Sequence, residues 1–216
     1  MTEFGPLAVK VWGDLACFTR PELKVERVSY PVMTPSAARG ILEALHWKPE
    51  MRWRVEEIWI LNDIKYFSIM RNEVTSVASE RSARDWARNG GSYVASEDRA
   101  QRHTLGLREV AYVIRATPVP RSGNRDDEAK HRDQFRRRVE RGQCFAQPYL
   151  GCREFAAWFG PPGDSDRPLD RTEDLGRMLL DLDYDADGSG RGTPRFYDAR
   201  LDAGVLRVPA LPAGGG

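Results

Sequence analysis

Apolar and polar residues alternate over 7–12, LeuAlaValLysValTrp, as in a strand with one buried face, until Gly13-Asp14 breaks the pattern. A longer period follows. Thr34-Pro35 has the form of a helix start, with Thr as cap and Pro at the first helical position, where its missing N–H costs nothing. Ala37, Ala38, Ile41, Leu42 and Leu45 then share one helical side, and the helix stops near Lys48-Pro49. Residues 52–60 and 64–71 predict two strands joined by a turn at Asn62-Asp63. Residues 75–104 carry no clean period; they read as a long loop with a short helix around Arg81–Arg88. Residues 105–116 resume a buried strand, which Pro118 and Pro120 are expected to end. A basic helix follows Asp126, Asp127 and Glu128 and stops at Gly142. Beyond it, 149–159, 175–184, 195–200 and 205–208 read as short strands between Pro, Gly and Asp turns.

The order strand, helix, strand, strand, loop, strand, helix predicts an α+β fold of the ferredoxin-like or RRM-like kind. Helices would cover one sheet face and leave the other free to hold RNA. The expected organisation is an RRM-like domain over 1–145, a smaller β-rich region over 146–212 and a disordered tail over 213–216.

Charge changes this picture more than composition does. The chain has 216 residues, 41% hydrophobic and 30% charged, as in ordinary soluble proteins. Its formal net charge is +1, but residues 99–141 hold twelve Lys/Arg against six Asp/Glu. Such a cationic middle favours a polyanion. Arginine outnumbers lysine 28 to 5, which suits bidentate phosphate binding but more simply reflects a GC-rich coding sequence. Cys17, Cys144 and Cys152 are an odd count without CxxC spacing, as expected of reduced thiols in a cytoplasmic protein. Cys144 and Cys152 read as small buried hydrophobes rather than a zinc site. No apolar run approaches a membrane span, and the N-terminus lacks a signal-peptide pattern. Asp181, Asp183, Asp185 and Asp187 alternate before Gly188, but no Glu follows at the spacing of a calcium loop.

Lys130-His131 stands out, because a titratable imidazole beside an ammonium suits chemistry on a phosphodiester. Spacing also puts His131 on one helical face with Phe135 and Val139, as a packed histidine would be. Arg20, Lys24, Arg27, Arg39, Arg136, Arg137 and Arg138 are the candidate RNA-binding cations. Tyr30, Trp47 and Tyr149 are candidate stacking residues or core. His103 is a loop imidazole in the basic middle.

Several blocks also carry a family resemblance. They are TrpGlyAsp at 12–14, CysPheThrArgPro at 17–21, LysValGluArgValSerTyr at 24–30 and MetThrProSerAlaAlaArgGly at 33–40. TrpLysPro at 47–49, GlyGlnCysPhe at 142–145 and ProTyrLeuGlyCysArgGluPhe at 148–155 complete the set. Together they resemble CRISPR-associated proteins of the fifth Cas family, subtype I-C variant, over nearly the whole chain. The resemblance implies a RAMP-type, metal-independent endoribonuclease that cuts CRISPR repeat hairpins in pre-crRNA and stays in the Cascade complex. Its partners would be crRNA and the backbone and large Cascade subunits. Duplex DNA is a further candidate from the basic middle; no cofactor is implied.

The family's active site, carried over by this resemblance, consists of a tyrosine at the end of the first helix and a Lys-His pair. The pair falls on Lys130 and His131, and the tyrosine position on His46. A helix C-terminus would favour protonated His46, and a first-turn position would keep His131 neutral. His46 also reads as a simple helix cap. Either histidine could be acid or base. The substitution leaves open a non-catalytic subunit that holds the crRNA 5′ handle.

Overall fold

The computed structural model describes residues 4–23, 25–76, 79–184 and 192–210. In chain order they form β1 (Leu7–Ala16), a 3-10 turn (Pro21–Leu23), β2 (Arg27–Val28), α1 (Pro35–Leu45), β3 (Met51–Ile60) and β4 (Lys65–Val74). There follow α2 (Glu80–Asn89), β5 (Arg99–Pro120), α3 (Arg125–Glu140), β6 (Trp158–Gly160), β7 (Glu173–Tyr184), β8 (Gly192–Asp202) and β9 (Val205–Arg207). Lys24, Asp185, Asp187 and the expected tail at 213–216 lie outside the described residues.

The architecture is mixed α+β, built on one sheet in the order β6-β1-β5-β3-β9-β8-β7. Neighbours on this path are antiparallel, while β2 joins β5 in parallel. The alternation in β1 places Leu7, Val9 and Val11 in the core. Both long helices cover that face. α1 starts as its sequence dictates, with Thr34 Oγ1 accepting from Ala37 N at 3.3 Å, and it buries Ala38, Ile41, Leu42 and Leu45. Ile41, Leu42 and Leu45 each contribute roughly 1.5–3 kcal/mol on burial. α3 contributes Phe135 and Val139, and Phe135 lies against Trp53 of β3 with ring centroids 4.8 Å apart. Past α3, Gly142 adopts φ +63°, and Gln143 N and Gly142 N return to Arg138 O and Val139 O. This left-handed stop favours glycine.

Five expectations need correction. The strands at 51–60 and 65–74 do not pair with each other; both pair with β5, β3 at its 112–120 end and β4 at its 99–108 end. β5 therefore leaves the body of the sheet, and with β4 forms a two-stranded arm with α2 in the connection. Pro118 and Pro120 do not end β5; they sit opposite Trp53 and Met51. Arg121 N donates to Glu50 O at 2.7 Å, so by alternation the two proline nitrogens face away from β3. On that side β1 has already ended, at the Leu7–Ala116 pair, so no ladder bond is lost.

The loop expected over 75–104 is shorter, because β4 runs to Val74 and β5 starts at Arg99. Finally, the second sheet face is not left free. Residues 161–171 cross it, where Lys10 Nζ meets Asp166 at 2.6 Å, Leu169 N donates to Ile60 O, and Val113 is buried. In the C-terminal third, 149–159 contains only the Tyr149–Ala156 bridge and the start of β6.

A helix-junction histidine pair as candidate functional site

The C-terminus of α1 meets the middle of α3. Leu42 and Leu45 set the position of α1, and His46 follows as its C-cap, with its backbone N–H on Leu42 O. Phe135 and Val139 set the face of α3, which brings His131 to the same place. His46 Nε2 lies 3.2 Å from His131 Nδ1, and the rings are tilted at 44° with centroids 5.4 Å apart. Two further contacts hold this end of α1: Trp53 Nε1 donates to His46 O at 2.7 Å, and Arg138 Nη1 donates to Leu45 O at 2.6 Å.

The pair is enclosed. His46 is 0% exposed and His131 3%. His46 Nδ1 is buried without a partner. An unpartnered buried N–H is rarer in proteins than an under-satisfied acceptor, so the hydrogen-bond network assigns the His46 proton to Nε2. His46 then donates to His131 Nδ1, and neutral His131 carries its proton on Nε2.

Burial, then the charges of Arg138, His131 and Lys48, pull the His46 imidazole down to about 4. This overturns the expectation of a protonated His46: desolvation and nearby cations outweigh the partial charge of a helix end. His131 is not in a first turn either. Asn124 caps α3, with Oδ1 accepting from Asp126 N, so His131 sits seven residues into the helix. The dipole gives it little. Lys130, one position earlier, is exposed.

The other candidates scatter. Arg136 and Arg137 are exposed on α3, and Arg136 reaches Asp133 at 3.3 Å. Arg39 is committed elsewhere, bidentate to Asp181 at 2.6 and 3.1 Å and bonded to Glu43 at 2.8 Å. Asp183 pairs with Arg195, so these two acids end in ion pairs. Arg20 stacks on Tyr30 with its guanidinium 4.5 Å from the ring centre, and Tyr30 is core, not a base platform. Arg27 faces Cys152 and Glu73.

Trp47 and Tyr149 are exposed, as a stacking residue would be, and so is His103 on the arm. Cys144 is exposed rather than buried; Cys17 and Cys152 are buried. Among the described residues, no three His, Cys, Asp or Glu side chains are grouped to hold a metal ion.

Sequence reasoning missed Phe145. It is 83% exposed, and its N–H is bound to Ala44 O at 2.8 Å, at the same end of α1. Its signal was the GlyGlnCysPhe block, which gave a resemblance without a role.

A family model described as CRISPR-associated protein (Cas_Cas5) matches residues 6–209. The chain belongs to this family. The subtype is set by two relatives, each named CRISPR pre-crRNA endoribonuclease Cas5d. One, from Mannheimia succiniciproducens, is 43% identical over 96% of this chain and 96% of its own. The other, from Thermus thermophilus, is 44% identical over 94% of this chain and 91% of its own. Two solved structures share the fold. A CRISPR-associated protein superposes with TM-score 0.66 at 22% identity, covering 95% of this chain and 92% of its own. An uncharacterized protein from Streptococcus mutans gives 0.65 at 19%, covering 94% and 92%.

Proposed function

We propose that the chain is a pre-crRNA endoribonuclease of the Cas5d type, acting at His46, Lys130 and His131. The single observation behind the site is that the fold joins His46 and His131, 85 residues apart in sequence, at 3.2 Å. The names of the two relatives carry the substrate class.

In this reading the ribose 2′-hydroxyl attacks the adjacent phosphorus, leaving a 2′,3′-cyclic phosphate and a free 5′-hydroxyl. The two imidazoles divide the proton transfers, each positioned acid or base giving ~10²–10⁴-fold. His131 Nε2–H and the Lys130 ammonium face the charge that builds on the phosphorane. RNA binding must first expose the buried pair, and Phe145, exposed beside the end of α1, is the proposed contact.

The βαββαβ core is of the ferredoxin-like kind in this proposal. The order β6-β1-β5-β3 supports it, as do α1 and α3 on one face. A boundary near residue 145 would fall between that core's second helix, which ends at Glu140, and its last strand β6, so the proposed core runs on to Gly160, with β7, β8 and β9 extending the same sheet. The product crRNA and the other Cascade subunits are the proposed partners, in the cytoplasm. No described helix is long and apolar enough to cross a membrane.

The test is incubation with cognate repeat RNA in EDTA, followed by end mapping. Cleavage should persist in EDTA and disappear when the nucleotide 5′ of the cut is 2′-deoxy. Cleavage of the deoxy substrate would sink the 2′-hydroxyl route. The burial of both imidazoles favours a second reading, in which the chain holds the 5′ handle without cutting. A natural chain that is inactive but gains cleavage on His46→Tyr would establish that reading.

A further inference from the structure

Away from the histidines, two buried thiols share one polar cluster. Cys17 follows the end of β1, and Cys152 lies in the segment before β6. Their backbones touch: Cys17 N donates to Leu150 O at 3.0 Å, and a side chain at Gly151 would stand 2.1 Å from Cys17 O. Glycine is required there. Cys152 Sγ is 3.5 Å from Cys17 O. Thr19 Oγ1 lies 3.6 Å from the Cys17 sulfur and 4.0 Å from that of Cys152. Arg27 Nη1 donates to Cys152 Sγ at 3.3 Å. Around them run Glu73 beside Arg27 and Arg71, and Arg71 bonded to Glu154 and Thr104, at the foot of the β4–β5 arm.

An apolar cysteine needs no guanidinium. A guanidinium on a sulfur with a second sulfur beside it is the arrangement of a stabilised thiolate and a resolving thiol. We infer that Cys17 and Cys152 form an oxidisable pair, in which peroxide oxidises Cys152 and Cys17 closes an intrachain disulfide.

The Cys152 thiolate attacks one oxygen of hydrogen peroxide. An S–O bond forms, the O–O bond breaks, and the departing hydroxide takes a proton to become water. Cys17 then gives up its proton and attacks the sulfenic sulfur. The S–S bond forms, and the sulfenic oxygen leaves as a second water. Two thiols are oxidised and one peroxide is reduced.

Ionisation runs in the required sense. The Cys17 thiol, and after that Arg27, pull Cys152 below the ordinary thiol range against the cost of burial. The bond to Cys152 and burial push Cys17 up, so Cys17 keeps the proton until it resolves. Once the disulfide forms, Arg27 loses its anionic partner and retains Glu73 of β4. The link therefore bears on how the arm is held.

The inference does not depend on the nuclease reading, and the test is independent of RNA. The full-length protein is treated with hydrogen peroxide, the remaining thiols are alkylated, and the peptides are mapped by mass spectrometry. A Cys17–Cys152 linked peptide, two hydrogens lighter, should appear while exposed Cys144 remains largely alkylated. Cys17→Ser should instead leave a sulfenic acid at Cys152, trapped by a 1,3-dione. In the wild type the rate of Cys152 loss should have its pH midpoint below that of an ordinary thiol. Arg27→Gln should raise that midpoint and slow the loss several-fold at neutral pH. If Cys144 reacts first and no linked peptide forms, the pair is inert. If Arg27→Gln changes neither rate nor midpoint, Arg27 does not activate Cys152. The wild-type mapping decides the disulfide even if the variants fail to fold.

Discussion

The molecule contains two buried pairs of like residues, and a nearby arginine acts on them in opposite senses. At the helix junction, Arg138 spends its donor on Leu45 O and confronts His46 only as a charge. There a cation adds to burial in penalising imidazolium, and both effects keep the ring neutral. At the foot of the arm, Arg27 donates directly to the Cys152 sulfur, and the same charge opposes burial because the ionised thiol is an anion. The lesson is that burial and positive potential cooperate for a base and compete for an acid. The same kind of side chain therefore keeps the His46 imidazole neutral in one place and stabilises a thiolate in the other.

The largest effect that would sharpen this contrast is on the rate of RNA cleavage. His131→Ala should lower it by ~10²-fold or more and leave repeat affinity within a few-fold, as for a proton-transfer group. Single-turnover cleavage and filter binding measure the two. Equal losses in both, or a protein that no longer folds, would make His131 a packing residue alongside Phe135 and Val139.

The neutral state of His46 gives the next largest effect, on acid stability. Its folded value of about 4 is below the ordinary 6.5, so the unfolded chain binds more protons between these values. Stability then rises with pH through that window, is complete above about 6.5, and is lost as the pH falls toward 4. At ~1.4 kcal/mol per unit, the loss approaches ~3 kcal/mol. Urea denaturation at pH 7 and pH 4.5 should show it, and His46→Gln should reduce the difference. A wild-type protein equally stable at both would mean that water reaches the ring.

How far the sequence led differs between the same two places. The cap at Thr34, the stripe through Ile41 and Leu45, and the stop at Gly142 are local rules, and the helices follow them closely. Asn124 is also a local signal, but the acidic run after it drew the expected helix start toward Lys130. The His46–His131 contact was suggested only through a resemblance, since no local rule pairs residues 85 positions apart. The thiol pair had no signal at all. Cys17 and Cys152 meet because the segment before β6 folds back on the end of β1, and spacing between cysteines is silent on that. The open sheet face failed for a related reason: the cover comes from 161–171, a stretch without periodicity whose contact rests on Lys10 and Asp166. Which arginines are free was equally illegible, because Asp181 reaches Arg39 only in the folded chain.

Arg138→Met removes the charge and keeps the apolar stem. His46 should then titrate at a higher pH, since Arg138 is the leading charge against its protonated form. The lost donor to Leu45 O should cost about 1.5–3 kcal/mol, as for other hydrogen bonds from charged groups. Imidazole chemical shifts against pH, with thermal melts, test both. An unmoved His46 titration would leave desolvation, with the lesser charges of His131 and Lys48, as the cause and weaken the parallel with Arg27.

The smallest effect concerns the cations that neither pair uses. Arg39 and Arg27 are held by internal anions, and Arg20 lies on Tyr30, so the exposed Arg136 and Arg137 remain for phosphate beside the helix junction. Each phosphate contact makes log affinity fall by roughly 0.7–0.9 against log salt. Arg136→Glu with Arg137→Glu should therefore flatten the salt slope by one to two such increments while leaving the folded stability near that of the wild type, because both side chains are exposed. Repeat-RNA binding titrated across salt concentrations reads the slope directly. A flattened slope puts the phosphates beside His131, where the nuclease proposal needs them. An unchanged slope puts them on the arm, whose Arg99 and Arg108 are exposed. RNA would then run nearer the thiols than the histidines, and the handle-holding reading would gain over the catalytic one.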